Sequence, residues 1–335
     1  MVFVVVLPYY MPMQPSPAHF HAYLQQLAAQ RADPTHGFFG PQTLVWQVNR
    51  ERINYLGGLR AILMQLAHPA VAQGVADHSH FQQDPLGRFV RTMSVVQDIL
   101  FGPADVAVKA ATRVYVRHAR VRGILVQPAS FDCAGHEPVQ ESSSLPLHSG
   151  CCNEAHSEKQ LHQEYHALDP DLLLWVYATL IDSLMFIHDE ILPPLGDEKW
   201  ERLYQEGRPF AYLFGIPDAA LPPTLDDFRT YVRGMVNTVK VTDTARKMAR
   251  AVIRSPHPVF GISNTILAAG TLPAPLREAF GLPWNGAVRA GYAAGMGVLR
   301  VIVPLLPTRL RTHTVHGKSD PISRFKGYFL KKYSS

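Results

Sequence analysis

Cysteine is nearly absent from this chain of 335 residues, which contains only Cys133, Cys151 and Cys152. Three cysteines, two of them adjacent, build no disulfide framework, so we expect a reducing compartment and a cytoplasmic location. His148 and His156 flank the adjacent pair, but without a CxxC spacing they are weak support for a metal site.

Long hydrophobic runs are also scarce. The N-terminal sequence MVFVVVLPYYM has no basic residue, is interrupted by Pro8 and is too short to span a bilayer. We expect a strand-like arm or a small hydrophobic anchor there, with no export signal and no transmembrane helix. Residues 171–190 are apolar on nearly all sides, which is typical of the central helix of a large bundle. Asp182 lies in this helix and is expected to be buried and paired, with Arg60 as a candidate partner.

Charge is sparse and forms no long run of one sign. Charged residues make up 18% of the chain and the net charge is +5, with much of the excess in the tail at Lys318, Arg324, Lys326, Lys331 and Lys332. No basic motif interleaved with aromatic residues is present, so we expect no nucleic-acid partner. A solvated tail is the favoured interpretation, and peripheral contact with an anionic membrane surface is the alternative.

Strand-like alternation is nearly absent, whereas apolar residues recur with a helical period, so the predicted fold class is all-α. An N-capping aspartate precedes proline at Asp84-Pro85 and Asp169-Pro170, which marks two helix starts. The predicted helices lie near residues 17–31, 41–67, 70–76, 85–101, 104–122, 157–167, 171–191, 197–214, 225–239, 243–254, 273–280 and 285–304.

The chain is predicted to form a single large helical domain at residues 38–310, preceded by an arm and helix at 1–37 and followed by a basic tail at 311–335. Residues 125–156 are polar and lack periodicity, so we expect a surface loop or a disordered insertion. Glycines give the last long helix a smooth face, which is expected to pack closely in a soluble core: Gly286, Gly291, Gly295 and Gly297.

Histidine and arginine are concentrated between residues 56 and 123, where the helices otherwise look buried. On the predicted helix 104–122, His118 continues an apolar line that begins at Ala107, and Arg122 follows one turn later. A single histidine on an apolar face is usually a satisfied core residue, but it is also a candidate ligand.

The predicted helix 85–101 carries two arginines and a threonine along the border of an apolar stripe: Arg88, Arg91 and Thr92. Such a border suits an anion with a large apolar body, because guanidinium groups bind carboxylates through paired hydrogen bonds. The alternative is a surface row of arginines paired with Asp or Glu.

Two further histidines, His68 and His78, lie near helix interruptions. We expect each to be structural, with its imidazole bonded to a backbone carbonyl. A metal site that combines them with Asp77 or Asp84 is a less favoured alternative, because the spacing lacks the i, i+4 pairing of such sites.

Taken together, these segments resemble a known family. The block GGLRAILMQLAHPAVAQGVADHS is followed by DPLGRFVRT, FG and VRHARVRG, and later by DPDLLLWVYATLIDS, LFGIP and LPPTLDDFRTYV. In this order they are similar to the catalytic domain of the rubber oxygenases, a family that includes the latex-clearing proteins and the endoplasmic-reticulum-bound oxygenase of mycophenolic acid biosynthesis. The resemblance covers roughly residues 38–310 apart from 125–156.

The resemblance implies a globin-like helical domain that binds haem b and uses its iron and O2 on an apolar substrate. It implies that His118 is the proximal iron ligand, with Arg122 as its companion. Arg88, Arg91 and Thr92 match the family's R-x-x-K-T set on the oxygen side of the haem, where arginine can also hold a propionate. In the rubber-cleaving members the position of Arg91 is a lysine that can close onto the iron. Arginine stays protonated, so we expect Arg91 not to ligate iron.

The expected function is therefore a haem b-dependent oxidoreductase, an oxygenase of a small isoprenoid or alkene-like molecule. Polyisoprene itself is not expected as the substrate, because its cleavage requires export and no export signal is visible. Tyr177 stands where many relatives have histidine, so no role is assigned to it. The alternative is a non-enzymatic helical protein that carries haem or a lipid.

Overall fold

The computed structural model describes residues 15–78, 85–127, 161–254 and 258–313, so the predicted arm, most of the insertion and most of the tail lie outside it. Most of these residues are helical, which confirms the predicted all-α class. The sheet in the described part has two strands. The helices are α1 (Pro17–Arg31), α2 (Leu44–Asn49), α3 (Gly57–Ala67), α4 (Pro69–His78), α5 (Pro85–Phe101), α6 (Ala104–His118), α7 (Pro170–Ile191), α8 (Asp197–Glu206), α9 (Arg208–Leu213), α10 (Leu225–Thr238), α11 (Asp243–Ile253), α12 (Pro258–Thr271), α13 (Ala274–Ala279), α14 (Gly286–Leu305) and α15 (Thr308–Arg311). Short 3-10 helices occupy Arg52–Leu56 and Asp218–Ala220.

Helix α7 is the centre of the core, as its apolar sequence predicts. Its Trp175 is fully buried, and the indole Nε1 donates to the backbone oxygen of Met64 on α3 at 3.2 Å. The predicted pairing of Asp182 is confirmed, since its Oδ2 lies 2.5 Å from Nη1 of Arg60. Arg60 also donates to Ser183 Oγ and to the backbone oxygen of Thr271, both at 2.9 Å, so its buried charge is fully engaged.

The region after α6 departs from the prediction. Helix α6 ends at His118 rather than at residue 122, and Arg122–Gln127 forms strand β1. Strand β2, Leu161–His166, pairs with it antiparallel where a helix and a loop were predicted. Gly123 lies opposite Tyr165, whose ring occupies the space that a Cβ at residue 123 would need. This pairing joins segments distant in sequence, so local periodicity could not indicate it.

Other boundaries also shift. The single helix predicted at 41–67 is divided, because the Asn49 and Asn54 side chains donate to the carbonyls of Val45 and Val48, at 2.8 Å each, and compete with the helical ladder. The helix predicted at 197–214 is likewise two helices, α8 and α9, and α12 was not predicted at all.

Helix α14 corrects the expectation of a closely packed smooth face. Gly291 does pack against Ile266 of α12, but nothing in the described structure lies within 4 Å of a Cβ placed at Gly286, Gly295 or Gly297. Met296 and Val303 are its buried residues. Helices α7 and α14 are both long and apolar enough to cross a membrane by length and composition, with 50% and 11% of their most apolar windows buried.

Candidate active site

The scaffold of the candidate site is the hairpin of α5 and α6, joined at Gly102-Pro103. Arg113 Nη2 on α6 lies 3.4 Å from Asp98 Oδ2 on α5, an exposed ion pair that joins the two helices. Helix α6 is also held on α1, because Tyr115 stacks on Phe20 at 3.9 Å between ring centroids and its hydroxyl donates to the oxygen of Pro15. The end of α6 is thus placed by packing on two sides.

His118 is the last residue of α6 and is half-buried. The apolar line predicted to lead to it is present, since Ala107 and Ala111 are buried. His118 ends α6, and Arg91 and Thr92 lie in the N-terminal half of α5.

All three therefore belong to the part of the hairpin that lies away from the Gly102-Pro103 turn. Both α5 side chains are exposed, whereas the imidazole is half-buried. Arg88 lies one turn before Thr92 on α5, and its side chain is outside the described part of the chain.

The position predicted for Arg122 is wrong. It was expected one helical turn after His118, but it begins β1 and its side chain is exposed. Its backbone oxygen accepts a hydrogen bond from His78 Nε2 at 2.9 Å. The structural role predicted for His78 is thereby confirmed, and its bond ties α4 to the sheet.

His68 is structural in a different way from the one predicted. Its Nδ1 accepts from the backbone N–H of Ala70 at 3.3 Å at the start of α4, instead of the imidazole donating to a carbonyl. Burial lowers the pKa of His68, which keeps the imidazole neutral and able to accept. Asp77 is also engaged, since its carboxylate accepts from Tyr165 at 2.7 Å and from Gln73 at 2.8 Å. The alternative metal site loses these members, and Asp84 lies outside the described residues.

An apolar cavity of about 100 Å³ is lined mainly by α3, α5, α7 and α8. Met93 of α5 forms part of its wall, and His118 does not line it. Tyr177 also lines the cavity; burial raises the pKa of its phenol, so the hydroxyl stays protonated.

The cavity has one polar corner. Gln97 Nε2 donates to the Tyr55 hydroxyl at 2.5 Å. The buried Oδ1 of Asn54 has no hydrogen-bond partner among the described residues, and such a buried acceptor is costly unless a donor reaches it. Sequence reasoning missed these residues. The available signal was Gln97, a polar residue on the helix face that carries Met93 and Leu100.

His118 offers the kind of side-chain ligand that a haem needs. A haem brings its own four nitrogen ligands and needs an axial side chain, for which one imidazole suffices. A non-haem metal ion needs several side-chain ligands, and no group of three or more His, Cys, Asp or Glu that could hold one occurs within the described ranges. The cavity is well below the roughly 300 Å³ of a typical cofactor pocket, so it suits a small molecule or a chain end and not a porphyrin.

Comparison with known proteins agrees with the resemblance read from the motifs. The family model described as "ER-bound oxygenase mpaB/B'/Rubber oxygenase, catalytic domain" matches residues 45–301. Uncharacterized proteins of Mycobacterium tuberculosis (strain ATCC 25618 / H37Rv) and Mycobacterium bovis (strain ATCC BAA-935 / AF2122/97) are each 24% identical over 258 residues, which are 74% of this chain and 88% of the relative. No solved structure matches the chain. The chain belongs to the family of mpaB and rubber oxygenase catalytic domains.

Proposed function

We propose that this protein is a haem b-dependent oxygenase that acts on a small apolar alkene or isoprenoid. The family is one of oxygenase catalytic domains, which supports the reaction class. The observation that supports the cofactor is that the half-buried His118 ends α6 and that Arg91 and Thr92 lie on the neighbouring helix α5, away from the turn of the hairpin.

His118 is the residue proposed to hold the iron, through a ring nitrogen of its neutral imidazole. A bound haem would supply the binding and activation of O2. The backbone oxygen of His118 already accepts from Val121 N–H at 2.9 Å, which keeps the chain folded back at the end of α6. The exposed Arg122 guanidinium, four residues on, is then a candidate partner for a propionate.

Thr92 and Arg91 are proposed to act on the oxygen side. A hydroxyl and a guanidinium both donate hydrogen bonds, which stabilises negative charge as it develops on oxygen. Arg88, one turn away on the same helix, is proposed to share this role or to bind a propionate. Arg91 cannot ligate iron, because its guanidinium has no lone pair to give at neutral pH.

The cavity behind Met93 is proposed to take the body of the substrate. Its walls are mostly apolar, and its volume suits a molecule of a few heavy atoms or the end of a longer chain. The unpartnered Asn54 Oδ1 would accept a hydrogen bond from a hydroxyl group of that substrate. A short isoprenoid alcohol such as 3-methyl-3-buten-1-ol combines these features.

The reaction is tested by O2 uptake of the haem-loaded full chain with 3-methyl-3-buten-1-ol, against its saturated analogue as control. One O2 and one C=C bond give two carbonyl groups, a balance that needs no external reductant, so none is added. We expect uptake with the alkene alone, and at least a tenfold increase in KM in Asn54→Leu, because that variant keeps the volume and removes the acceptor. Haem loading without uptake for any small alkene, with or without a reductant, would indicate a carrier rather than an oxygenase.

The role of Arg91 is tested by the visible spectrum of the resting protein. We expect no strong nitrogen ligand on the oxygen side. Such a ligand in the wild type that disappears in Arg91→Ala and persists in Arg117→Ala, on the exposed side of α6, would contradict the assignment.

A further inference from the structure

The C-terminal helices leave a group of large aliphatic side chains in solvent. On α14, Val298, Val301, Ile302 and Leu305 follow the spacing i, i+3, i+4, i+7 and are 49–78% exposed. Leu310, five residues further on in α15, is 60% exposed as well. We call these five residues the α14 patch. Single exposed aliphatic residues are ordinary, but a contiguous group of this kind marks an interaction surface.

The patch cannot turn into the core, because the opposite face of α14 is already fixed. Met296 and Val303 are 5% exposed and pack with residues of α7. Arg300 donates from Nη2 to Glu190 Oε1 and from Nε to the Glu190 backbone oxygen, both at 2.6 Å. These contacts hold the helix to the domain with the patch outward.

Charge indicates what covers the patch. From residue 280 to residue 319 the sequence has no Asp or Glu. Among the described residues of this stretch, Arg300 and Arg311 pair with Glu190 and Glu51, whereas Arg289 and Arg309 are exposed. In a symmetric pair of copies, the exposed Arg309 next to Leu310 would bring like charges together, with no Asp or Glu of the same stretch to pair them. An anionic lipid surface offers apolar depth for the aliphatic residues and negative charge for Arg309 beside Leu310.

We propose that the α14 patch docks this protein on the surface of an anionic bilayer, with α14 lying on the membrane and not crossing it. A crossing helix would have to pull Met296, Val303 and the Arg300–Glu190 pair away from the domain, whereas docking uses the exposed face as it stands. Docking also presents the domain to the compartment in which small apolar substrates concentrate.

Co-sedimentation of the full chain with vesicles tests the proposal. We expect binding to phosphatidylcholine vesicles containing about one third phosphatidylserine, and at least tenfold weaker binding to phosphatidylcholine alone, because arginines near anionic lipid add to apolar insertion. Leu305→Asp should weaken binding to the mixed vesicles at least tenfold. Arg309→Glu should weaken it less and should reduce the preference for the anionic lipid.

Ile124→Asp is the matched control, because Ile124 on β1 is 53% exposed and lies outside the patch. It should bind vesicles as the wild type does, and all variants should keep the thermal midpoint of the wild type, since the altered residues are exposed. Equal binding by wild type and Leu305→Asp would overturn the proposal and assign any binding to the basic tail. A dimer that Leu305→Asp converts to monomer, with vesicle binding unchanged, would overturn it in favour of a second copy.

Discussion

Helices α7 and α14 are almost the same kind of sequence in opposite surroundings. They have 22 and 20 residues, and their most apolar windows have mean hydropathies of 1.5 and 1.3. Yet 50% of the α7 window is buried and 11% of the α14 window. Other helices surround α7, whereas α14 packs on one face alone. Apolar composition therefore predicts that a helix needs an apolar partner but does not say where in the molecule, or outside it, that partner lies.

Breaking the ion pair at each of the two helices should give the largest difference in the free energy of unfolding. Asp182→Ala would leave the buried Arg60 guanidinium without its carboxylate, and we expect a loss of about 3–4 kcal/mol in the free energy of unfolding. Glu190→Ala breaks the pair with the half-exposed Arg300 and should cost about 1 kcal/mol or less, because solvent screens that pair. Urea unfolding followed by circular dichroism measures both. Equal losses in the free energy of unfolding would contradict the expectation that the more buried pair contributes more.

Truncating an aliphatic side chain should likewise cost more stability on α7 than on α14. Leu173→Ala on α7 removes a side chain that is 5% exposed and should cost about 2–3 kcal/mol through lost burial and a residual cavity. Ile302→Ala on α14 removes a side chain that is 49% exposed and should change stability by about 0.5 kcal/mol or less. The measurement is the same urea titration on the isolated protein without lipid. A large loss for Ile302→Ala would show that the patch is covered in solution.

Replacing glycine by alanine should destabilise the protein at one position and stabilise it at another. In Gly270→Ala the new methyl group would meet the ring of Tyr292, so we expect destabilisation by about 1–2 kcal/mol. In Gly295→Ala the methyl group meets nothing within 4 Å, so the better helix propensity of alanine should stabilise by about 0.5–1 kcal/mol. Thermal unfolding by calorimetry compares the two. Destabilisation by Gly295→Ala would place an undescribed neighbour against that face.

The smallest effect concerns pH. His188 on α7 is 6% exposed, and burial lowers its pKa while neighbouring Asp189 partly opposes the shift. Below the ordinary histidine pKa of about 6.5, the unfolded chain binds a proton more readily than the folded one. Stability should therefore fall as pH drops from about 7 to 5. His188→Phe, which keeps a ring against Trp200, should make that fall shallower, as measured by urea unfolding at each pH. An unchanged dependence of stability on pH would mean that other groups cause it, with His68 as the first candidate.

The sequence predicted the features of the site that lie within one helix, but not those that depend on contacts between distant segments. The apolar line ending at His118 and the row of Arg88, Arg91 and Thr92 follow from helical periodicity, because each lies within one helix. Arg122 was misplaced, since its strand exists only through pairing with residues some forty positions away. The cavity was missed for the same reason: Asn54 and Tyr177 become neighbours through packing alone.

His118 is the residue on which the proposed haem site depends most. The direct measurement is a haem titration of the purified full chain followed by absorption spectroscopy, with His118→Ala and with His21→Ala as a matched control. His21 is also half-buried against this hairpin, bonded to Thr112 Oγ1 at 2.9 Å. We expect one haem per chain in the wild type and in His21→Ala, and at least a tenfold increase in the Kd for haem in His118→Ala with its fold intact. Normal haem binding by folded His118→Ala, or no haem binding by the wild type, would contradict the account.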